Sequence, residues 1–394
     1  MNFKPNINGI DPRKIVFVTL VLGLIAITSL GILEIGLRIY YWYKTPDDLS
    51  LFVPKPNGSF DLKPNMTVTT RVDKAEINIV TNSHGMRWRE ISRKPDPKSP
   101  RIAFVGDSFT FGCWASRVEK SFVGVFDSLM SSKGYETLNF GVGGYGLDDI
   151  EMQLKDKVVE FQPKYIFLMF FNGNDFRDTF LGIHKYDFSN GAANLDANNI
   201  SAKIPEEYRK RAGGLSYILS NSAIYGQLSN ALARIRVHKT GDFGVSNDFL
   251  SYSFWSQQPY PRIAQQARDV SINTLKSISD ICRQNGICLI IVAIPYKEQV
   301  TSRAKNGSDF DIYLPQRFVQ KFAADQNIPY LDLLDKLRDY SSNRGDLYYQ
   351  FDPHLSERGH HVVGKIIADR FTAVANEPGF LFNRFQQHPN PFGD

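Results

Sequence analysis

Five short strand-like runs, each followed by a helical pattern, constrain this chain more than any other feature. They are Arg101 to Val105 (RIAFV), Glu136 to Phe140 (ETLNF), Tyr165 to Phe171 (YIFLMFF), Cys288 to Ile294 (CLIIVAI) and Pro329 to Leu333. Helical spacing of apolar residues appears between them, at Phe122 to Met130 and Leu147 to Phe161. It recurs at Ile263, Ala267, Val270, Thr274, Ile278 and Ile281, near Gln316 to Gln326, and from about Ser356 to Phe371. Strands that are mostly continuous apolar runs are buried on both faces, which is the signature of a parallel sheet with helices on each side. The expected fold is α/β, a three-layer αβα sandwich around a central parallel sheet of about five strands. Ligands in such sheets bind beyond the carboxyl ends of the strands.

The 394 residues hold 42% apolar and 13% aromatic side chains, enough to fill a substantial core. The net charge of +5 comes without a long Lys/Arg run, so no nucleic-acid partner is expected. Three cysteines, Cys113, Cys282 and Cys288, are no disulfide framework. Cys282 and Cys288 flank a helix-to-strand turn and would pair only with close Cβ atoms. No Cys/His cluster has zinc-ligand spacing, and no metal or cofactor is expected.

Ile15 to Leu33 is an uncharged apolar run. At ~1.5 Å per residue it extends about 28 Å, close to the ~30 Å hydrocarbon core of a bilayer. Signal peptides have shorter apolar runs and a small-x-small cleavage site. Tyr40 to Tyr43 follow as an interfacial aromatic belt would, and Glu34 stands four residues before Arg38, where the two could pair on a helix. Lys4, Arg13 and Lys14 precede the run, which favours a cytoplasmic N-terminus and an exported body. The expected order is a cytoplasmic segment at 1–14, a single transmembrane helix at 15–37, a stalk and small β-rich lead-in at 38–100, and a main domain at 101–375. A tail at 376–394 completes the chain. Within the lead-in, Thr67 to Val72 and Ala75 to Val80 resemble a hairpin. An insertion at about 176–262 interrupts the main domain, as a lid, a substrate platform or a structural cap.

Ser108 directly follows the first core strand, in Gly106-Asp107-Ser108. It is equally suited to a nucleophile at the sheet edge and to a helix N-cap. His354 stands two residues after Asp352, and in an extended segment those side chains share a face. The carboxylate could then hold one ring nitrogen and leave the other free as a base. His360 and His361 lie on the following helix and read as bystanders. Gly144, in Gly141-Val142-Gly143-Gly144, follows the second strand, and Asn174, in Asn172-Gly173-Asn174-Asp175, follows the third. Each loop alone is ordinary turn chemistry. Gly141 to Gly146 lacks the lysine of a phosphate-binding P-loop.

Ser, Gly, Asn and Asp/His at one sheet edge resemble the SGNH (GDSL) hydrolase family, named for those residues. The resemblance covers roughly residues 100–372 and implies a flavodoxin-like fold. It implies Ser108 as nucleophile, His354 as general base and Asp352 as its orienting partner. The oxyanion hole would be the Ser108 and Gly144 N–H groups and the Asn174 amide. Thr81 to Arg87 is similar to the lead-in of bacterial membrane-anchored members. Three positions depart from the family pattern: Phe109 stands for Leu, Asn172 for Gly, and Asp-x-His for Asp-x-x-His.

The expected function is a membrane-anchored, exported serine esterase, with its catalytic domain periplasmic or extracellular. It would act on an acylated carbohydrate or lipid substrate, such as O-acetyl groups on envelope polysaccharide. Two alternatives use the same fold: an O-acyltransferase, and a non-catalytic, membrane-tethered subunit.

Overall fold

The computed structural model describes residues 12–44, 51–72, 75–187, 194–208, 248–301, 309–344, 347–349 and 352–375. The N-terminal helix, Pro12–Lys44, is continuous. Its stretch Arg13–Leu37 is long and apolar enough to cross a membrane, and none of its most apolar window is buried. The Arg38 side chain, and with it the expected Glu34 pair, falls outside the described residues.

In the main body, β1 (Phe52–Pro54) and β2 (Phe60–Leu62) form a small antiparallel pair. The expected hairpin is present as β3 (Thr67–Val72) and β4 (Ala75–Val80). The central sheet consists of β5 (Arg101–Gly106), β6 (Glu136–Asn139), β7 (Tyr165–Phe171), β10 (Cys288–Ile294) and β11 (Tyr330–Asp332). A two-residue pair, β8 (Tyr186–Asp187) and β9 (Asn194–Leu195), lies between them in sequence. All central pairings are parallel, in the spatial order β6-β5-β7-β10-β11. Ranked by sequence this is 2-1-3-4-5, the flavodoxin-like order, and its direction reverses between β5 and β7. A crevice therefore opens past the ends of those two strands, where Ser108 and Asn174 follow.

The alternation along β7 explains the two covered faces. Phe167 stacks on Phe104 at 4.9 Å and meets Phe371 of the last helix, Glu357–Ala375, at 5.8 Å. Phe104 also meets Phe126 of the helix Phe122–Met130 at 4.9 Å. Phe170, on the opposite face, meets Phe176 of the helix Asp175–Leu181 at 5.0 Å. That helix packs against the long helix Arg262–Gln284, so regular layering runs past residue 176. The segment Tyr252–Ser256 is a short 3-10 turn with Phe254 and Trp255 fully buried. Within the insertion, Leu215, Ile218, Leu219, Leu228, Leu232 and Ile235 have helical spacing in the sequence, and they lie outside the described residues. A helix at Leu334–Arg344, too polar to show an apolar period, adds to the expected set.

Residues 51–100 differ from a stalk. Phe60, Ile77, Met86 and Trp88 belong to the main core, and the Trp88 indole N–H donates to Thr137 O at 2.8 Å. Buried Arg101 donates to the carbonyls of Ser92, Arg93, Lys94 and Phe161. Buried Arg87 donates to four further carbonyls, among them Gly112 and Ala115. Burial lowers the Arg87 pKa to about 10. Isolated buried arginines have no period, so the polar composition of this stretch conceals its place in the core.

Candidate active site

Where β5 ends, Asp107 takes the cap position of the one-turn helix Ser108–Phe111, its carboxylate accepting from the Phe109 N–H at 2.9 Å. Sequence alone left the cap role open to Ser108. With Asp107 filling it, the serine is the first helical residue and its hydroxyl is available elsewhere. The turn closes at Gly112, and the chain then runs back along the site.

The serine hydroxyl meets His354, with Oγ and Nε2 2.8 Å apart. On the other side of the ring, Nδ1 lies 2.6 Å from Asp352 Oδ1. A carboxylate only accepts, so Nδ1 carries the proton and Nε2 is left to accept from Ser108. Asp352 Oδ1 also accepts the His354 backbone N–H at 2.9 Å. The pair is therefore held by an Asx-type turn, not by the extended segment expected from its spacing. Burial opposes the charge on Asp352, yet the hydrogen bonds and charge of His354 hold its carboxyl below the usual range. The loop is tied down by Tyr348, whose hydroxyl donates to Pro295 O at 2.7 Å, and by the Tyr349 N–H on His354 O at 3.0 Å.

The glycine loop after β6 reaches the serine from below. A Cβ on Gly141 would sit 2.1 Å from the Phe111 backbone nitrogen, so only glycine lets the loop pass against the serine's helix. A Cβ on Gly143 would be 3.9 Å from Ser108 Cβ. Gly144 has φ +84°, and a side chain there would press on the Tyr186 hydroxyl at 2.8 Å. Asn174, 7% exposed, heads the helix after β7 and turns its side chain toward the Asp107 carboxylate. Asn172 is fully buried, and its amide makes no hydrogen bond among the described residues. Its backbone still extends the ladder, donating to Ile294 O at 3.0 Å.

Two acids missed in the sequence lie behind the serine. Burial raises the Asp107 pKa to about 6, against the Phe109 N–H and the charge of His354. Burial, then the Asp107 charge, raises Asp175 well above the carboxylate range, although its Oδ2 accepts the Phe171 N–H at 2.9 Å. Their place directly beside Ser108 and Asn174 was the one available signal. Tyr252, which no sequence pattern marks as a site residue, has its ring 5.5 Å from Phe171 and comes near Asp107 and Asp352. His360 is buried, accepting from the Phe122 N–H at Nδ1 and facing Cys113 O with Nε2, and burial lowers its pKa to about 4. It is a neutral packing residue. Cys282 and Cys288 are free thiols, each pushed up to about 12 by burial.

No curated protein matches the chain. Among solved structures it is similar to a lipolytic protein of the G-D-S-L family from Desulfitobacterium hafniense DCB-2, at 14% identity and TM-score 0.35, over 69% of this chain and 99% of that one. It is also similar to an acetylxylan esterase from Geobacillus stearothermophilus, at 12% identity and TM-score 0.37, over 68% of this chain and 94% of that one. The pattern of the GDSL-like lipase/acylhydrolase family matches residues 104–362, from within β5 to the last helix. That span is about two thirds of the sequence and contains every residue of the candidate site, so the chain belongs to the GDSL-like lipase/acylhydrolase family of ester-bond hydrolases.

Proposed function

We propose that this protein is a membrane-anchored serine esterase that works through a covalent acyl-serine. The observation that carries this reading is the hydrogen-bonded path from Asp352 through His354 to the Ser108 hydroxyl, at 2.6 Å and 2.8 Å. Ser108 Oγ attacks the ester carbonyl while His354 Nε2 takes its proton. Asp352 holds the ring and stabilises the imidazolium. The Ser108 and Gly144 N–H groups and the Asn174 amide receive the oxyanion. As the tetrahedral adduct collapses, His354 returns the proton to the departing alkoxide, leaving the acyl-serine and an alcohol. A water molecule, deprotonated by His354, then attacks the acyl carbon. The acid departs and Ser108 recovers its proton.

In this reading residues 15–37 cross the membrane, residues 1–14 stay in the cytoplasm, and the body is periplasmic or extracellular. The basic residues Lys4, Arg13 and Lys14 ahead of the apolar run support that orientation. An enzyme held at a membrane surface suits substrates concentrated there, and acylated envelope carbohydrate or lipid fits an ester hydrolase so placed. The full-length chain in detergent should hydrolyse 4-nitrophenyl acetate, take up a fluorophosphonate label, and release acetate from an O-acetylated polysaccharide. Ser108→Ala should abolish all three. Equal rates for the two proteins would refute the mechanism, and ester turnover without acetate release would refute the polysaccharide.

A further inference from the structure

Just beyond Ser108, four consecutive backbone carbonyls each meet a side chain from elsewhere. Arg87 donates to Gly112 O at 2.6 Å and to Ala115 O at 2.8 Å. His360 Nε2 lies 3.2 Å from Cys113 O, and the Tyr349 hydroxyl donates to Trp114 O at 2.9 Å. Within this clamp Trp114 has φ +66°. Bulky residues rarely adopt left-handed backbone, and they keep it only where the surroundings impose it. Such conformations cluster at functional sites.

The imposed backbone directs the indole toward His354. The two rings meet edge to face at 6.0 Å and 87°. The indole Nε1 is buried and, among the described residues, satisfies strict hydrogen-bond geometry with no acceptor. It still lies near enough to the Asp352 carboxylate to join His354, against the penalty of burial, in holding that carboxyl down. Among the described residues this buried donor has no other acceptor, and it stands beside the acid that orients the base.

We infer that Trp114 is a positioning residue for the esterase reaction, its indole N–H fixing Asp352 and its ring limiting the swing of His354. The inference rests on the esterase reading. Asp107 and His360 also face His354, and Tyr252 faces Asp352. These groups stay in place when Trp114 alone is changed, so a difference between the two proteins reports the indole.

The test compares full-length wild type with Trp114→Phe and Trp114→Gly. Trp114→Phe keeps an aromatic ring and loses the N–H. Its kcat should fall roughly 10-fold, with KM for 4-nitrophenyl acetate within about two-fold, as expected when one charge-assisted donor is lost. The acidic limb of kcat/KM should move to higher pH, because Asp352 without the indole dipole better stabilises a protonated imidazole. Trp114→Gly accepts this φ freely but removes the ring packed against the core, and it should be less active than Trp114→Phe. The low-field proton resonance of the His354–Asp352 pair should shift in Trp114→Phe, which needs no turnover to observe. An unmoved resonance, or an unmoved acidic limb with only KM raised, would overturn the inference, and the latter would make Trp114 a substrate platform. If wild type neither turns over ester nor labels at Ser108, the esterase reading fails; the resonance then decides alone whether the indole acts on the pair.

Discussion

The serine stands between two sets of carboxylates that behave in opposite ways. In front of it, Asp352 is partly exposed, accepts two N–H groups from His354, and is held below the usual carboxylate range. Behind it, Asp107 and Asp175 are almost wholly buried, and both are raised. Burial penalises charge in all three, and the hydrogen-bond partners decide the outcome. Asp352 faces a ring that can become a cation. Asp107 feels that ring and Asn174 too, but burial outweighs them; Asp175 has the Asp107 charge beside it, and among the described residues one oxygen of each meets no partner in strict hydrogen-bond geometry. The same residue type therefore serves as a fixed anion on one side and as a neutral-leaning structural group on the other.

The sharpest way to break this contrast is to remove the charge in front. Asp352→Asn should keep the fold and lower kcat by roughly 10³–10⁴-fold, because the amide no longer fixes the Nδ1–H tautomer of His354. Steady-state kinetics on 4-nitrophenyl acetate measure this, and a loss under about 10-fold would remove Asp352 from the triad. Next in size is Asn174→Ala. Loss of one oxyanion donor should cost roughly 10²–10³-fold in kcat, about 2.7–4 kcal/mol, with little change in KM. Gly144→Ala should give a smaller defect of about 10–100-fold, because a methyl at φ +84° strains the loop that presents an oxyanion N–H.

Changing the rear carboxylate should act on stability more than on rate. The Asp107 carboxyl has its folded pKa raised from 3.8 to about 6, so the folded state binds its proton more tightly than the unfolded chain does. Its contribution is fully present below pH 3.8 and is lost as pH rises to about 6. Asp107→Asn, with asparagine still a good cap, should remove that loss. Its melting temperature should meet or exceed that of wild type at pH 8, with the advantage shrinking toward pH 4. A variant less stable at pH 8 than at pH 4, relative to wild type, would show that the Asp107 charge is satisfied.

These contrasts also mark what a sequence discloses. The strands showed plainly, because burial on both faces leaves uninterrupted apolar runs such as YIFLMFF at Tyr165 to Phe171. The positions of Ser108, Gly144, Asn174 and His354 could be placed from the sequence because they follow strand ends or precede a helix, where topology alone gathers side chains; their roles are what we propose. The Asp107 cap was hidden, since Asp and Ser are both good caps and adjacent positions compete for one role. The helix Leu334–Arg344 was hidden because its sequence, LDKLRDYSSNR, is too polar to show an apolar period. The left-handed Trp114 has no local signature, since tryptophan carries no preference for that backbone. The clamp that imposes it draws on residues from opposite ends of the chain.

That clamp bears on where the protein can be cut. The family pattern begins at residue 104, yet Arg87, which grips both ends of the turn behind the serine, precedes it. A fragment trimmed to the recognisable family region would retain every residue proposed for the chemistry. It would also lose the guanidinium that satisfies Gly112 O and Ala115 O. The smallest transplantable unit of this enzyme is therefore longer than its signature, and it starts in the stretch whose composition looks most like a spacer.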